Sequence, residues 1–299
     1  MSHGRLNKQM YQQCFINERM GSSTKCSKAF AGITHALSAL AVFFVFFAFF
    51  QDFLSASLGS NNLWAVAAAG FVVAGAALIP DLDNTRSLAH STLSVSGEAL
   101  SKVMKAVSIF AQRATYTKYD KKDDNPHRKL WHTPLAWVVV SAGMFALFGV
   151  SKQVSLPVIG EKSLGWLFAL LVFSSCVQLA LMGLFYKVVK KTTSKLGGEL
   201  ILDAATLVVS FLVMTQIPSD DGLQWLAVAF LLGTLIHLAG DMFTTMGIPA
   251  AWPFKVRGKR WYFVRFLPLK SGGDFEKTFV RPAFVVIVLV CIAKIILSL

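Results

Sequence analysis

Long unbroken apolar runs, rather than alternation of apolar and polar positions, organise this chain. Seven of them read as bilayer-crossing helices: 33–50, 63–79, 134–150, 164–186, 200–217, 224–243 and 282–299. Each lies near the roughly 20 residues a helix needs to cross hydrocarbon. Punctuation agrees with these limits. Pro80 closes the second run, and Thr133 and Pro134 read as N-cap and first turn of the third. Gly247, Pro249 and Pro253 stop the sixth and turn the chain away from the membrane. Within the polar segment 81–133, Leu100, Val103, Met104, Val107, Phe110 and Ala111 recur at helical spacing opposite Lys102, Lys105 and Gln112. That pattern predicts a helix lying on the membrane surface. Residues 116–126 read as a solvated loop. The expected fold is all-α: a polytopic bundle of about seven transmembrane helices plus one amphipathic surface helix. Residues 1–30 form a basic tail, too long and polar ahead of the first run for a typical signal peptide. Residues 31–299 form one integral-membrane domain.

Composition supports this division. The chain is 55% hydrophobic and 15% charged, with a mean hydropathy of +0.56, which excludes an ordinary soluble domain. A net charge of +13 would suggest a nucleic-acid partner until the charges are placed. The tail and segments 81–133, 187–198 and 255–281 carry 26 Lys and Arg, against 2 in 51–62, 151–163 and 218–223. By the positive-inside rule the N-terminus is cytosolic and the C-terminus outside. Topology and anionic lipid headgroups then account for the basic excess, so membrane lipids are expected partners and nucleic acid is not. Cys14, Cys26, Cys176 and Cys291 are scattered without a Cys-x-x-Cys pair, and read as reduced thiols.

Ionisable residues inside such runs need a reason, because each costs a few kcal/mol at membrane depth unless paired, wetted or bound to an ion (roughly 2.5–3.5 on insertion scales). His237 and Asp241, four apart, share one helix face. A His–Asp hydrogen bond within a bundle would explain them as well as a metal would. On the same expected side lie His35, Asp81 and Asp83 after Pro80, His127 and His132 before the third run, and Glu276 before the seventh. Taken singly, Pro-Asp-x-Asp also makes an ordinary turn, and a lone helical His is usually satisfied locally. Together, imidazoles and carboxylates are the ligand types of zinc, manganese or iron, enough for one divalent ion or two.

Four blocks carry a family resemblance: Gly32-Ile33-Thr34-His35; Ile79-Pro80-Asp81-Leu82-Asp83; His127-Arg128 with His132-Thr133; and 233–253, with His237, Asp241, Gly247, Pro249 and Trp252-Pro253. In this order they resemble the YdjM-like metal-dependent hydrolases of the bacterial inner membrane. The resemblance implies His35, Asp81, Asp83, His127, His132, His237 and Asp241 as metal residues, with Gly272, Gly273 and Glu276 as a weaker trailing element. The chain departs from the family at Asn84, where the family commonly has His; His90 is a substitute candidate. Segment 81–127 is longer than usual, and two further spans fit between His132 and His237. The expected activity is metal-dependent hydrolysis of a phosphoester or ester of a lipid or other amphiphile. Arg128 would stabilise charge on a substrate oxygen, and Glu276 would act as base or support. The rival readings are a transporter relaying protons or cations and a non-catalytic membrane adaptor with a structural metal. The outer halves of the runs carry few ionisable residues, which counts against the transporter.

Overall fold

A computed structural model describes residues 31–49, 63–85, 87–120, 127–156, 160–196, 198–217, 223–267, 269 and 272–298. The basic tail and the loop 51–62 lie outside the described residues. The chain is an all-α bundle: α1 (Ala31–Phe49), α2 (Leu63–Ala76), a 3-10 turn (Ile79–Asp83), α3 (Leu88–Thr92), α4 (Ser94–Thr115), a second 3-10 turn (Leu130–His132) and α5 (Pro134–Phe148) come first. A hairpin of β1 (Gln153–Leu156) and β2 (Gly160–Ser163) follows. After it come α6 (Leu164–Leu196), α7 (Glu199–Thr215), α8 (Trp225–Met242), a π turn (Glu276–Val280) and α9 (Arg281–Ser298).

Helices occur at all seven expected runs, and among the described residues five of them are long and apolar enough to cross a membrane: Gly32–Phe49, Trp64–Asp83, Leu164–Tyr186, Trp225–Met242 and Glu276–Ile295. α5 and the apolar part of α7 (Ile201–Thr215) are shorter. Fifteen residues of α5 rise about 22 Å, less than the ~30 Å hydrocarbon thickness. The hairpin, with Val154 opposite Lys162, occupies a stretch read as loop; four-residue strands leave little periodicity to detect.

α2 lies at the centre because its sequence is small. It packs against α1, α6 and α8, and Ala68, Val72 and Ala76 are fully buried. A Cβ on Gly75 would sit 2.1 Å from the Cys176 carbonyl oxygen of α6, and one on Gly233 of α8 2.3 Å from the Val73 carbonyl oxygen. Small residues thus let three backbones meet almost directly, as membrane helices do where lipid supplies no hydrophobic drive between them. This contact carries the end of α2, with Pro80 and Asp81, against the α8 turn that bears His237. α9 is peripheral, packing chiefly along α1.

The surface helix is present as α4, with its faces rotated from expectation. Leu100, Val103, Val107 and Phe110 are exposed, whereas Met104, Ser101, Ser108 and Gln112 are buried. Met104 therefore leaves the apolar outer stripe and Gln112 leaves the solvated face. Small polar residues line the face that packs on both 3-10 turns, where Trp131 Nε1 donates to the Met104 carbonyl at 2.7 Å. Asp120 corrects the solvated-loop reading at its own position, while residues 121–126 lie outside the described residues. It is buried, and its carboxylate accepts from the Thr117 backbone at 2.8 Å and the Trp261 backbone at 2.9 Å.

Candidate metal centre

Four elements deliver the polar side chains. α1 brings His35, the first 3-10 turn brings Asp81 and Asp83, and the 127–132 segment brings His127, Arg128 and His132. α8 brings His237 and Asp241. Pro80 within the first turn tightens it, and Asn84 closes it by donating its backbone N–H to the Asp81 carbonyl. Thr133 caps α5 as expected, its hydroxyl accepting from Ala136 N at 3.3 Å, and thereby fixes the chain direction just after His132.

The seven residues named by resemblance converge. His132 Nε2 lies 3.5 Å from Asp81 Oδ1 and 3.3 Å from Asp241 Oδ2; His237 Nε2 lies 3.8 Å and 3.5 Å from the same two oxygens. Metal–ligand bonds of 2.0–2.1 Å in a tetrahedron put neighbouring ligand atoms about 3.3 Å apart. The four imidazole–carboxylate distances come close to that spacing. The tautomer of His237 is set by its other nitrogen: Nδ1 donates to the Ala77 carbonyl at 2.7 Å, which leaves Nε2 bare. His237 Nε2, both nitrogens of His132, and Asp241 Oδ2 are buried without a hydrogen-bond partner. Buried polar atoms seldom stay unpaired, so this cluster fits a cation. Burial alone would lower the pKa of His132, but the carboxylates of Asp241 and Asp81 outweigh it and raise it to about 9. The pocket draws positive charge.

Around this quartet stand the remaining candidates. His127 Nδ1 donates to Asp83 Oδ1 at 2.8 Å, and its Nε2 lies 4.0 Å from Asp81 Oδ1. His35 Nε2 is 3.7 Å from Asp241 Oδ1, and its ring centroid is 4.1 Å from that of His237. Gly240 makes room for it: a Cβ there would lie 3.2 Å from the imidazole. Among the described residues three ligand groups can be drawn, namely His35–His237–Asp241, Asp81–His132–His237 and Asp83–His127–His132. Because the first two share the single bare nitrogen of His237, they compete for it.

Arg128 lies beside the cluster. Its Nη2 donates to Asp241 Oδ1 at 2.9 Å and its Nη1 to Thr244 Oγ1 at 2.7 Å, while Nε is buried without a partner. Its φ of +59° is uncommon for a side-chain-bearing residue and concentrates at functional sites.

Glu276 stands in a different setting from the one expected for a base. Its carboxylate is taken by the Thr34 hydroxyl, by Gly272 N at 2.6 Å and by Arg281 Nη2 at 3.0 Å, and Arg281 Nε donates to Thr34 Oγ1 at 2.9 Å. It reaches the cluster only through Thr34, the neighbour of His35. His90 faces Lys105 and Glu98 electrostatically and belongs to none of the three groups. Thr244, the Ala77 carbonyl and Arg281 were invisible as site residues in the sequence. The first two act through one oxygen each, and Arg281 had looked like one more loop cation.

No curated protein and no solved structure matches the chain. A family model, however, covers residues 30–189 and 196–298, spanning every element that supplies the cluster, and the chain therefore belongs to the YdjM inner membrane protein family.

Proposed function

We propose that this protein is an integral-membrane hydrolase with a divalent-metal centre at the cytosolic headgroup level. It would act on a phosphoester or ester of a lipid or other amphiphile. The observation that carries the reading is the convergence of buried His132, His237 and Asp241 with the part-exposed Asp81, their imidazole nitrogens and carboxylate oxygens 3.3–3.8 Å apart and several left without a partner. Imidazoles among the donors favour zinc over manganese, which prefers all-oxygen sites. The charge asymmetry among the connecting segments supports a cytosolic N-terminus and, with it, a site on the cytosolic side.

When bound, the ion supplies Lewis acidity and lowers the pKa of a bound water. The chain does the rest. Asp83 holds the His127 ring with Nε2 turned towards Asp81, and His127 and Asp81 are the more exposed members of the site. His35 packs against His237 and limits its rotation. Arg128 holds Asp241 in place, and its unused Nε offers a hydrogen bond to an anionic substrate oxygen. Glu276 acts with Arg281 to position α1, and so His35, rather than as a base.

The test is elemental analysis of purified protein beside the His237→Ala, Asp241→Ala double variant. About one equivalent of zinc in the wild type and none in the variant is expected; metal retained by the variant would overturn the ligand assignment. A panel of phosphoesters and lipid esters then tests hydrolysis. Bound metal with no turnover would favour the adaptor, and metal-dependent uptake into proteoliposomes the transporter.

A further inference from the structure

After α8 ends at Met242 the chain folds back on itself instead of departing. Phe266 N donates to the Met242 carbonyl at 2.8 Å, Leu269 N to the Phe243 carbonyl at 3.2 Å, and Thr245 N to the Leu269 carbonyl at 3.2 Å. Gly247 permits the return with φ +66°, and a Cβ there would lie 2.3 Å from the Val264 carbonyl oxygen. This unit presents Phe243, Met246, Phe266, Leu267 and Leu269 outward, each between 42% and 62% exposed, with the rings of Phe243 and Phe266 5.8 Å apart. None of the five lies in a candidate span. A grouped apolar surface of this kind marks an interaction site rather than ordinary surface scatter.

We propose that residues 243–267, with Leu269, are seated in the leaflet of the protein's own bilayer at the basic end of the bundle, their apolar side chains among the acyl chains and their cations among anionic headgroups. Two observations select this occupant. First, the patch starts at the residue after a candidate span, so it continues that helix's membrane-facing surface. Second, 242–273 holds six Lys and Arg and no Asp or Glu. That composition suits anionic headgroups and opposes a second copy of the same surface, whose like charges would repel. The segment is also fastened to the end of α4: Arg260 Nη1 and Trp261 Nε1 donate to the Thr115 carbonyl and hydroxyl at 3.2 and 3.1 Å. The last residue of α4, the helix that carries an exposed apolar stripe of its own, is thereby joined to this segment. Thr244, within the seated unit, holds Arg128, so the leaflet contact and the polar cluster share one short stretch of backbone. The seating itself does not depend on whether a metal binds.

The experiment uses full-length protein in vesicles containing phosphatidylglycerol. Single cysteines Phe266→Cys and Leu269→Cys carry a bimane, with Lys118→Cys as the exposed reference. Cys14 and Cys26 are replaced by serine, while the buried Cys176 and Cys291 are kept. Nitroxide lipids labelled near the glycerol end of the acyl chain are expected to quench positions 266 and 269, with iodide quenching several-fold weaker than at 118. Iodide quenching equal to that at 118, or cross-linking between copies through 266 with no lipid quenching, would overturn the proposal.

Discussion

His127 and Asp83 are joined at 2.8 Å, imidazole Nδ1 to carboxylate Oδ1, across 44 residues of sequence. The same contact fixes the tautomer of His127 and aims its other nitrogen at Asp81. It separates the two carboxylates of the Asp-x-Asp pair: Asp81 Oδ1 faces three imidazoles, whereas Asp83 Oδ1 accepts a hydrogen bond from His127. If His127 is a fifth donor, Asp83→Asn keeps shape and acceptor but removes charge, and zinc affinity should fall about 10- to 100-fold, as second-layer carboxylate losses do. Competition against a chromogenic chelator measures this. Unchanged affinity would remove His127 from the set of donors.

Close backbone approach makes Gly233 and Gly75 unusually sensitive. Gly233→Ala pushes a methyl group into the Val73 carbonyl, one turn before His237. It should destabilise the protein by about 1–3 kcal/mol, the usual cost of overpacking, and weaken metal binding as well. Gly143→Ala, with nothing within 4 Å of the added carbon, should be neutral. Thermal unfolding in detergent compares the two.

The Asp120 carboxyl is held below its ordinary value of 3.8: burial raises it, but hydrogen bonds from Thr117, Trp261 and Arg260 outweigh burial. A carboxyl depressed in the folded state stabilises above its unfolded pKa, and that contribution is lost as pH falls through the lower folded value. The junction of residues 117–120 with 258–261 should therefore loosen only below about pH 4. Asp120→Asn should loosen it already at neutral pH. Limited proteolysis across this junction, from neutral pH down to pH 3, reads both effects.

Glu276 and Arg281 give a discriminating case. If Glu276 positions α1 through Thr34, Glu276→Gln should lower the melting temperature while zinc content and turnover per folded molecule change little. A group acting as base would show the reverse, with stability intact and kcat down about 10²–10⁴-fold. Differential scanning fluorimetry alongside turnover separates the two roles.

Much of the molecule was determined by the sequence alone. Helices in lipid must satisfy their own backbone groups, so each appears as a long apolar run, and all seven runs contain helices. The site residues were legible as residue types because ionisable groups in such runs are rare. What only the tertiary structure decided is which atoms meet. The Gly and Ala faces of α2 set how near α6 and α8 approach, and that approach, not local propensity, brings Ala77 to His237 and Asp81 to His132. The face of α4 was likewise decided by packing, since small polar side chains fit tightly over the two 3-10 turns while its larger apolar residues remain outside. The surroundings of Glu276 belong to the same class: Arg281 and Thr34 meet its carboxylate across a fold the linear order does not encode.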